Sequence, residues 1–181
     1  MHIASKSLLI ALLIAACAAC AWPAQAEAKR QGPCRFAALP AQKSTPAKFA
    51  KAVHCLINKK RTARGLRKLR RVKTLNRTAR KHSRLMRDRR CFAHRCPGEG
   101  DLGKRIAKAG YGYRIAGENI AWAGGRNATP KWIVRAWMRS PGHRANILRR
   151  DFRDTGIGVV RGAPVRFAGP AITITQNFGR R

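Results

Sequence analysis

Acid is scarce in this chain. Seven Asp and Glu stand against 40 Lys and Arg in 181 residues, a formal net charge of +33 at pH 7. Such a surface adheres to anionic polymers, among them cell-wall phosphates, acidic lipids and nucleic acid. The cations are spread along the chain and not gathered in one block, so an arginine-rich coding bias is the competing explanation. Charge predicts adhesion and names no partner. Other absences narrow the class. Past the N-terminus no stretch approaches the ~18 apolar residues of a membrane span, so the mature chain is expected to carry no transmembrane segment. Internal repeats and low-complexity tracts are missing. No compact H-E-x-x-H word is present, which counts against a helix-borne zinc protease site. Paired C-x-x-C motifs are missing too, which counts against a structural zinc. Gly124-Gly125 lies outside any strand-to-helix phosphate motif, and no sequence-specific nucleic-acid module is visible.

What is there begins with a leader. Lys6 precedes an apolar run from Leu8 to Ala21, and Ala24-Gln25-Ala26 supplies a small-x-small cleavage pattern. Residues 1–26 therefore read as a signal peptide, and the mature chain as exported. Ile14-Ala15-Ala16-Cys17 has the shape of a lipoprotein cleavage site, so a lipid anchor at Cys17 is the alternative to free secretion. Residues 27–181 suit a single domain with a real core. Four of the six cysteines then remain, Cys34, Cys55, Cys91 and Cys96. An even count in an exported chain argues for two disulfides. Three connectivities are possible. The short loop Cys91–Cys96, with Cys34–Cys55 tying an N-terminal arm to the first helix, is favoured, and a structural zinc site is the alternative.

Residues 27–45 lack periodicity and read as an extended arm before a domain at 46–181. Thr45-Pro46 opens a helix ending near Gly65, with Phe49, Val53, Leu56 and Ile57 on its apolar stripe. A second helix is predicted from about Thr74 to Arg89. Asp101 caps a short helix stopped by Gly110. Thr129-Pro130 and Ser140-Pro141 start two more. Gly156 to Val160 reads as a buried strand, and Ala171 to Phe178 alternates Ile172, Ile174, Gln176 and Phe178 with Thr173, Thr175 and Asn177. The pattern is α+β, with helices on both faces of a small antiparallel sheet.

Histidine titrates near neutral pH and ligates metals, so the five histidines are the natural candidates for chemistry. His2 leaves with the leader. His54 reads as surface, and His82, on the apolar stripe of the second helix, as a hydrogen-bonded core residue. His94 lies inside the Cys91–Cys96 segment, where a short loop would hold it. His143 follows the Ser140-Pro141 helix start, where the helix dipole should favour neutral imidazole. Glu118 precedes the apolar segment Ile120-Ala121-Trp122 and is costly to bury without a partner. Trp122, Trp132 and Trp137 read as core or cleft wall. Asn76-Arg77-Thr78 and Asn127-Ala128-Thr129 match N-x-T by chance.

Spacing alone does not join these residues; the surrounding words do. Cys91-Phe92-Ala93-His94, Gly117-Glu118-Asn119-Ile120-Ala121-Trp122, the run from Trp137 through Ser140-Pro141-Gly142-His143-Arg144-Ala145-Asn146-Ile147-Leu148, and Gly156-Ile157-Gly158-Val159 occur in order. With Ala79 to Met86 before them and Thr175-Gln176-Asn177-Phe178-Gly179 after, the chain resembles the CAP superfamily, or SCP domain, in its bacterial secreted branch. The resemblance covers roughly residues 50–179. It implies a three-layer α-β-α sandwich with a cleft, lined in many members by two histidines and two glutamates that can hold a divalent metal such as zinc. Carried over, these positions are His94, Glu118 and His143, with Ser140 where the second glutamate would fall. Ser140 brings no charge, and a helix cap explains it locally.

Three functions follow as expectations. The first is an extracellular binding domain without demonstrated catalysis, with a cleft around His94, Glu118 and His143 for a metal or a small lipid-like ligand. The second is a zinc-dependent hydrolase, with zinc on His94 and His143 and Glu118 acting on a bound water; a serine nucleophile at Ser140 or Ser83 has less to recommend it. The third is a cationic adhesin or antimicrobial protein that meets anionic envelope polymers or lipids. The sequence sets no oligomeric state.

Overall fold

A computed structural model describes residues 33–181. The expected leader, its cleavage point and Cys17 lie outside the described residues. Five helices and four strands follow in chain order: α1 Pro46–Thr62, β1 Arg70–Arg71, α2 Lys73–Asp88, α3 Leu102–Lys108, β2 Ile115–Gly124, α4 Pro130–Arg139, α5 Pro141–Leu148, β3 Asp154–Arg161 and β4 Ala171–Arg180. The sheet order is β1-β3-β4-β2. β4 pairs antiparallel with both β3 and β2, and β1 pairs parallel with β3. The architecture is the expected α-β-α sandwich. No helix among the described residues is long and apolar enough to cross a membrane.

Helix starts are set by caps. Thr45 accepts a hydrogen bond from Lys48 N–H, Thr129 from Trp132 N–H, and Asp101 from Lys104 N–H, each satisfying a donor that the first turn leaves open. Ser140 is a correction: it stands at the N-cap of α5, but its side chain makes no cap hydrogen bond. Residues 33–45, expected as an extended arm, hold a turn and a 3-10 helix at Ala41–Lys43. Ala41 is buried, and its N–H donates to Ala128 O.

One layer, α1, α4 and α5, packs on a sheet face through Phe49, Val53, Ile57, Ile133, Trp137, Phe152, Ile157, Ile174 and Phe178. On the other face α2 lies unusually close. A Cβ at Gly156 would come 2.0 Å from the backbone of Leu75, and one at Gly158 2.0 Å from Arg80 N. The Gly-Ile-Gly-Val word thus bares one face of β3 to a helix backbone and keeps Ile157 and Val159 for the main core. β4 is buried on both faces. Its polar side meets α2 through Ser83 Oγ, which donates to Thr175 Oγ1 and Gly158 O, and through Asn177 Nδ2, which donates to Thr78 Oγ1.

The third long strand, β2, was not legible. Gly117-Glu118-Asn119 interrupts any alternation, and the strand forms because ten residues pair with β4, a tertiary outcome that overrides local propensity.

Candidate functional site

β2 is an edge strand, and its neighbouring residues Glu118 and Asn119 reach opposite faces of the sheet. On the α2 side, Glu118 Oε1 lies 2.8 Å from His94 Nδ1. An ionised carboxylate only accepts, so Nδ1 carries the proton and Nε2 is left as the second ring nitrogen. On the α5 side, Asn119 Nδ2 donates to His143 O at 3.1 Å, and Asn146 Nδ2 donates to Glu118 O and to Asn119 Oδ1. The edge strand therefore positions elements from both outer layers.

His94 sits in the loop that the Cys91–Cys96 disulfide closes, and Cys34–Cys55 forms as well. The favoured pairing is the observed one, and no zinc is needed to account for these cysteines. Arg105 of α3 fastens the same loop: its Nη2 donates to His94 O at 3.0 Å and to Glu118 Oε1 at 3.1 Å, and lies 3.0 Å from Glu118 Oε2. Arg105 Nε is 3.6 Å from Glu99 Oε1, and Glu99 in turn accepts from His82 Nδ1 at 2.8 Å. His82 Nε2 faces Glu118 Oε1 at 3.8 Å. The floor of the site is a buried knot of two carboxylates, one guanidinium and one imidazole. Burial lowers the pKa of His82 and outweighs the opposing pull of Glu118 and Glu99, so His82 is neutral at pH 7.

Above this floor the two remaining histidines differ. The His94 side chain is 58% exposed, against 3% for Glu118. His143 is half-buried, with its ring centroid 6.4 Å from that of Trp137. Its pKa is lowered, first by burial and second by the charge of His94. The expected direction holds, with burial as its first cause. The direct partner of Glu118 is His94. Ser140 is half-buried beside α5, with no side-chain bond. Ser83 is committed inside the sheet contact described above and is no nucleophile. His54 is a correction: it is half-buried, and its Nε2 bonds Leu69 O at 2.9 Å.

The donor set does not fit a resident zinc ion. Structural sites use four protein ligands and catalytic ones three. Among the described residues, no three His, Cys, Asp or Glu side chains form a group that could hold a metal. Glu118, the carboxylate nearest the histidines, is already engaged by a guanidinium. Sequence reasoning missed Glu99 and Arg105. Glu99 was findable as one of seven acids, five residues from His94; Arg105 had nothing to mark it among 40 basic residues.

The model of the cysteine-rich secretory protein family, CAP, matches residues 55–178. The Bacillus subtilis (strain 168) protein YkwD is 37% identical over 122 residues, which are 67% of this chain and 46% of YkwD. A solved extracellular SCP-domain protein of Bacillus anthracis superposes with a TM-score of 0.60 at 30% identity, covering 76% of this chain and 44% of that one. An outer surface protein of Borrelia burgdorferi shares the fold at a TM-score of 0.62 and 21% identity, covering 76% and 97%. The chain spans less than half the length of the two Bacillus proteins. It belongs to the CAP, or SCP-domain, family in its bacterial branch.

Proposed function

We propose that this chain acts outside the cytoplasm as a binding module. Its ligand site is the His94–His143 pair over Glu118, whose carboxylate is paired with Arg105. Two disulfides and the likeness to an extracellular relative support export. The observation that carries the site is the pinning of His94: Glu118 holds Nδ1 at 2.8 Å, while the rest of the ring is open to solvent. A carboxylate behind an imidazole fixes its tautomer and raises its basicity as a ligand.

Two imidazoles with no free carboxylate take a divalent cation weakly and exchangeably, or a small polar ligand by hydrogen bonding. The hydrolase reading has less support, because Glu118 is held by His94 and Arg105 and is not free to act on a water. The test is zinc titration of metal-stripped protein by calorimetry. One site of about 10 µM or weaker is expected, lost in both His94→Ala and His143→Ala. Complete absence of binding would overturn the paired site. Tight binding would overturn the reading that Arg105 keeps Glu118 from the cation.

A further inference from the structure

The histidine cleft leaves a second concavity unused. Three adjoining depressions of about 430, 240 and 560 Å³ run along the outer side of α2 toward the start of α1. Arg80 lines all three, and Arg77 and Arg84 each line two. Val159 and Pro46 line the second and third, with Arg71 in the second and Arg161 in the third. Asp88 is the single acid among these linings, at one end, and it pairs with Arg87. Arg71, Arg80 and Arg84 are exposed and have no side-chain hydrogen-bond or ion-pair partner among the described residues.

Scattered charge does not make this pattern. Arg77, Arg80, Arg84 and Arg87 recur at helical spacing on one stripe of α2, and like charges at that spacing repel by a few tenths of a kcal/mol per pair. Asp88 answers Arg87 at one end, but no acid among the described residues pairs with Arg80 or Arg84, and an outside anion would relieve them. Over α2 it extends about 21 Å from Lys73 to Arg87 at 1.5 Å per residue, so the matching anion is elongated. The groove arginines offer planar forks, which match phosphate oxygens bidentately. The concavity is small enough for one flexible strand laid along the helix.

We infer that the groove between α2 and the N-terminal end of α1 binds a linear phosphodiester polymer of the cell envelope, a poly(polyol phosphate) chain, independently of the histidine cleft. A single-stranded nucleic acid presents the same phosphodiester chemistry, so the test carries both. Fluorescently labelled poly(glycerol phosphate) and a labelled dT oligonucleotide are titrated with the disulfide-bonded protein at several salt concentrations, with anisotropy as the readout. The native protein is expected to bind poly(glycerol phosphate), log Kd changing with log salt at a slope of about 3 in magnitude, for roughly four phosphates neutralised. The triple variant Arg71→Gln/Arg80→Gln/Arg84→Gln should lose at least tenfold in affinity and reduce that slope to about 1. A control triple, Arg126→Gln/Arg135→Gln/Arg166→Gln, removes the same charge outside the groove and should stay within twofold. Equal losses in the two triples would overturn the proposal, since net charge alone would then explain binding. Binding of the oligonucleotide without poly(glycerol phosphate) would overturn it as well. Comparable binding of both polymers, lost only in the groove variant, supports it.

Discussion

Replacing Arg61 by methionine removes a fully buried cation that has no carboxylate partner. Its guanidinium donates to four backbone oxygens: Arg67 O at 2.8 Å, Ile147 O at 2.7 Å, Arg149 O at 2.9 Å and Phe152 O at 3.3 Å. These bonds tie the end of α1 to the end of α5 and to the entry of β3, and α5 carries His143. Methionine fills similar volume and leaves the buried Ile147 O, together with Arg67 O and Arg149 O, without the guanidinium donor, while Phe152 O keeps Arg153 Nη1 at 3.3 Å. Each unpaired buried acceptor costs about 1–3 kcal/mol. Relief of the buried charge offsets part of this, in keeping with the lowered pKa of Arg61, whose main cause is desolvation. The expected loss is about 2–4 kcal/mol, or roughly 5–15 °C in Tm for a domain of this size. Lysine at the same place keeps the charge but cannot span four acceptors, and should recover only part. Urea unfolding with intact disulfides measures the difference. A methionine variant within about 1 kcal/mol of the native protein would show that these four bonds do not hold the elements together.

Other outcomes follow from the same structure. Gly158→Ala places a Cβ against the backbone of α2 and should destabilise by about 3 kcal/mol, read by urea midpoint. Removing the Cys34–Cys55 bridge, whose sequence separation is 21, should lower stability by about 3 kcal/mol, read by denaturation of the Cys34→Ser/Cys55→Ser variant. Acid should weaken the fold. His54, His82 and His143 all have pKa values pushed below 6.5, each chiefly by burial. Below pH 6.5 the unfolded chain therefore takes up protons that the folded chain refuses, and stability falls as pH drops toward the folded pKa values. Denaturation at pH 7.5, 6 and 5 checks the sign; a gain on acidification would contradict it.

The helices were legible because their signals are local. Thr45-Pro46, Asp101 and Thr129-Pro130 mark starts by residue chemistry, and the stripe Phe49-Val53-Ile57 marks a buried face. β2 was not, because its partner lies some fifty residues away and its middle holds Glu118 and Asn119. His94 and Glu118 were found through the words around them, and the structure puts them in contact. His82 was read as a hydrogen-bonded core residue, which it is, but its bond to Glu99 and its place in the floor depend on α2 facing α3 across the Cys91–Cys96 loop. By position alone Ser140 reads as a working cap, yet its side chain makes no cap bond; position sets the backbone, not the hydroxyl. Arg105 was invisible because one guanidinium among many acquires meaning only from the two carboxylates that the fold brings to it.

Arg105 contacts both oxygens of Glu118, and zinc affinity of metal-stripped Arg105→Gln against the native protein tests what that contact does. Calorimetry and cobalt absorption spectra give the readouts, with circular dichroism to establish that the variant is folded. Removing the guanidinium should raise affinity by about tenfold or more, because a positive charge leaves the site and Glu118 then backs His94 alone. An unchanged or weaker site in a folded variant would contradict the claim that the Arg105 guanidinium keeps zinc affinity low.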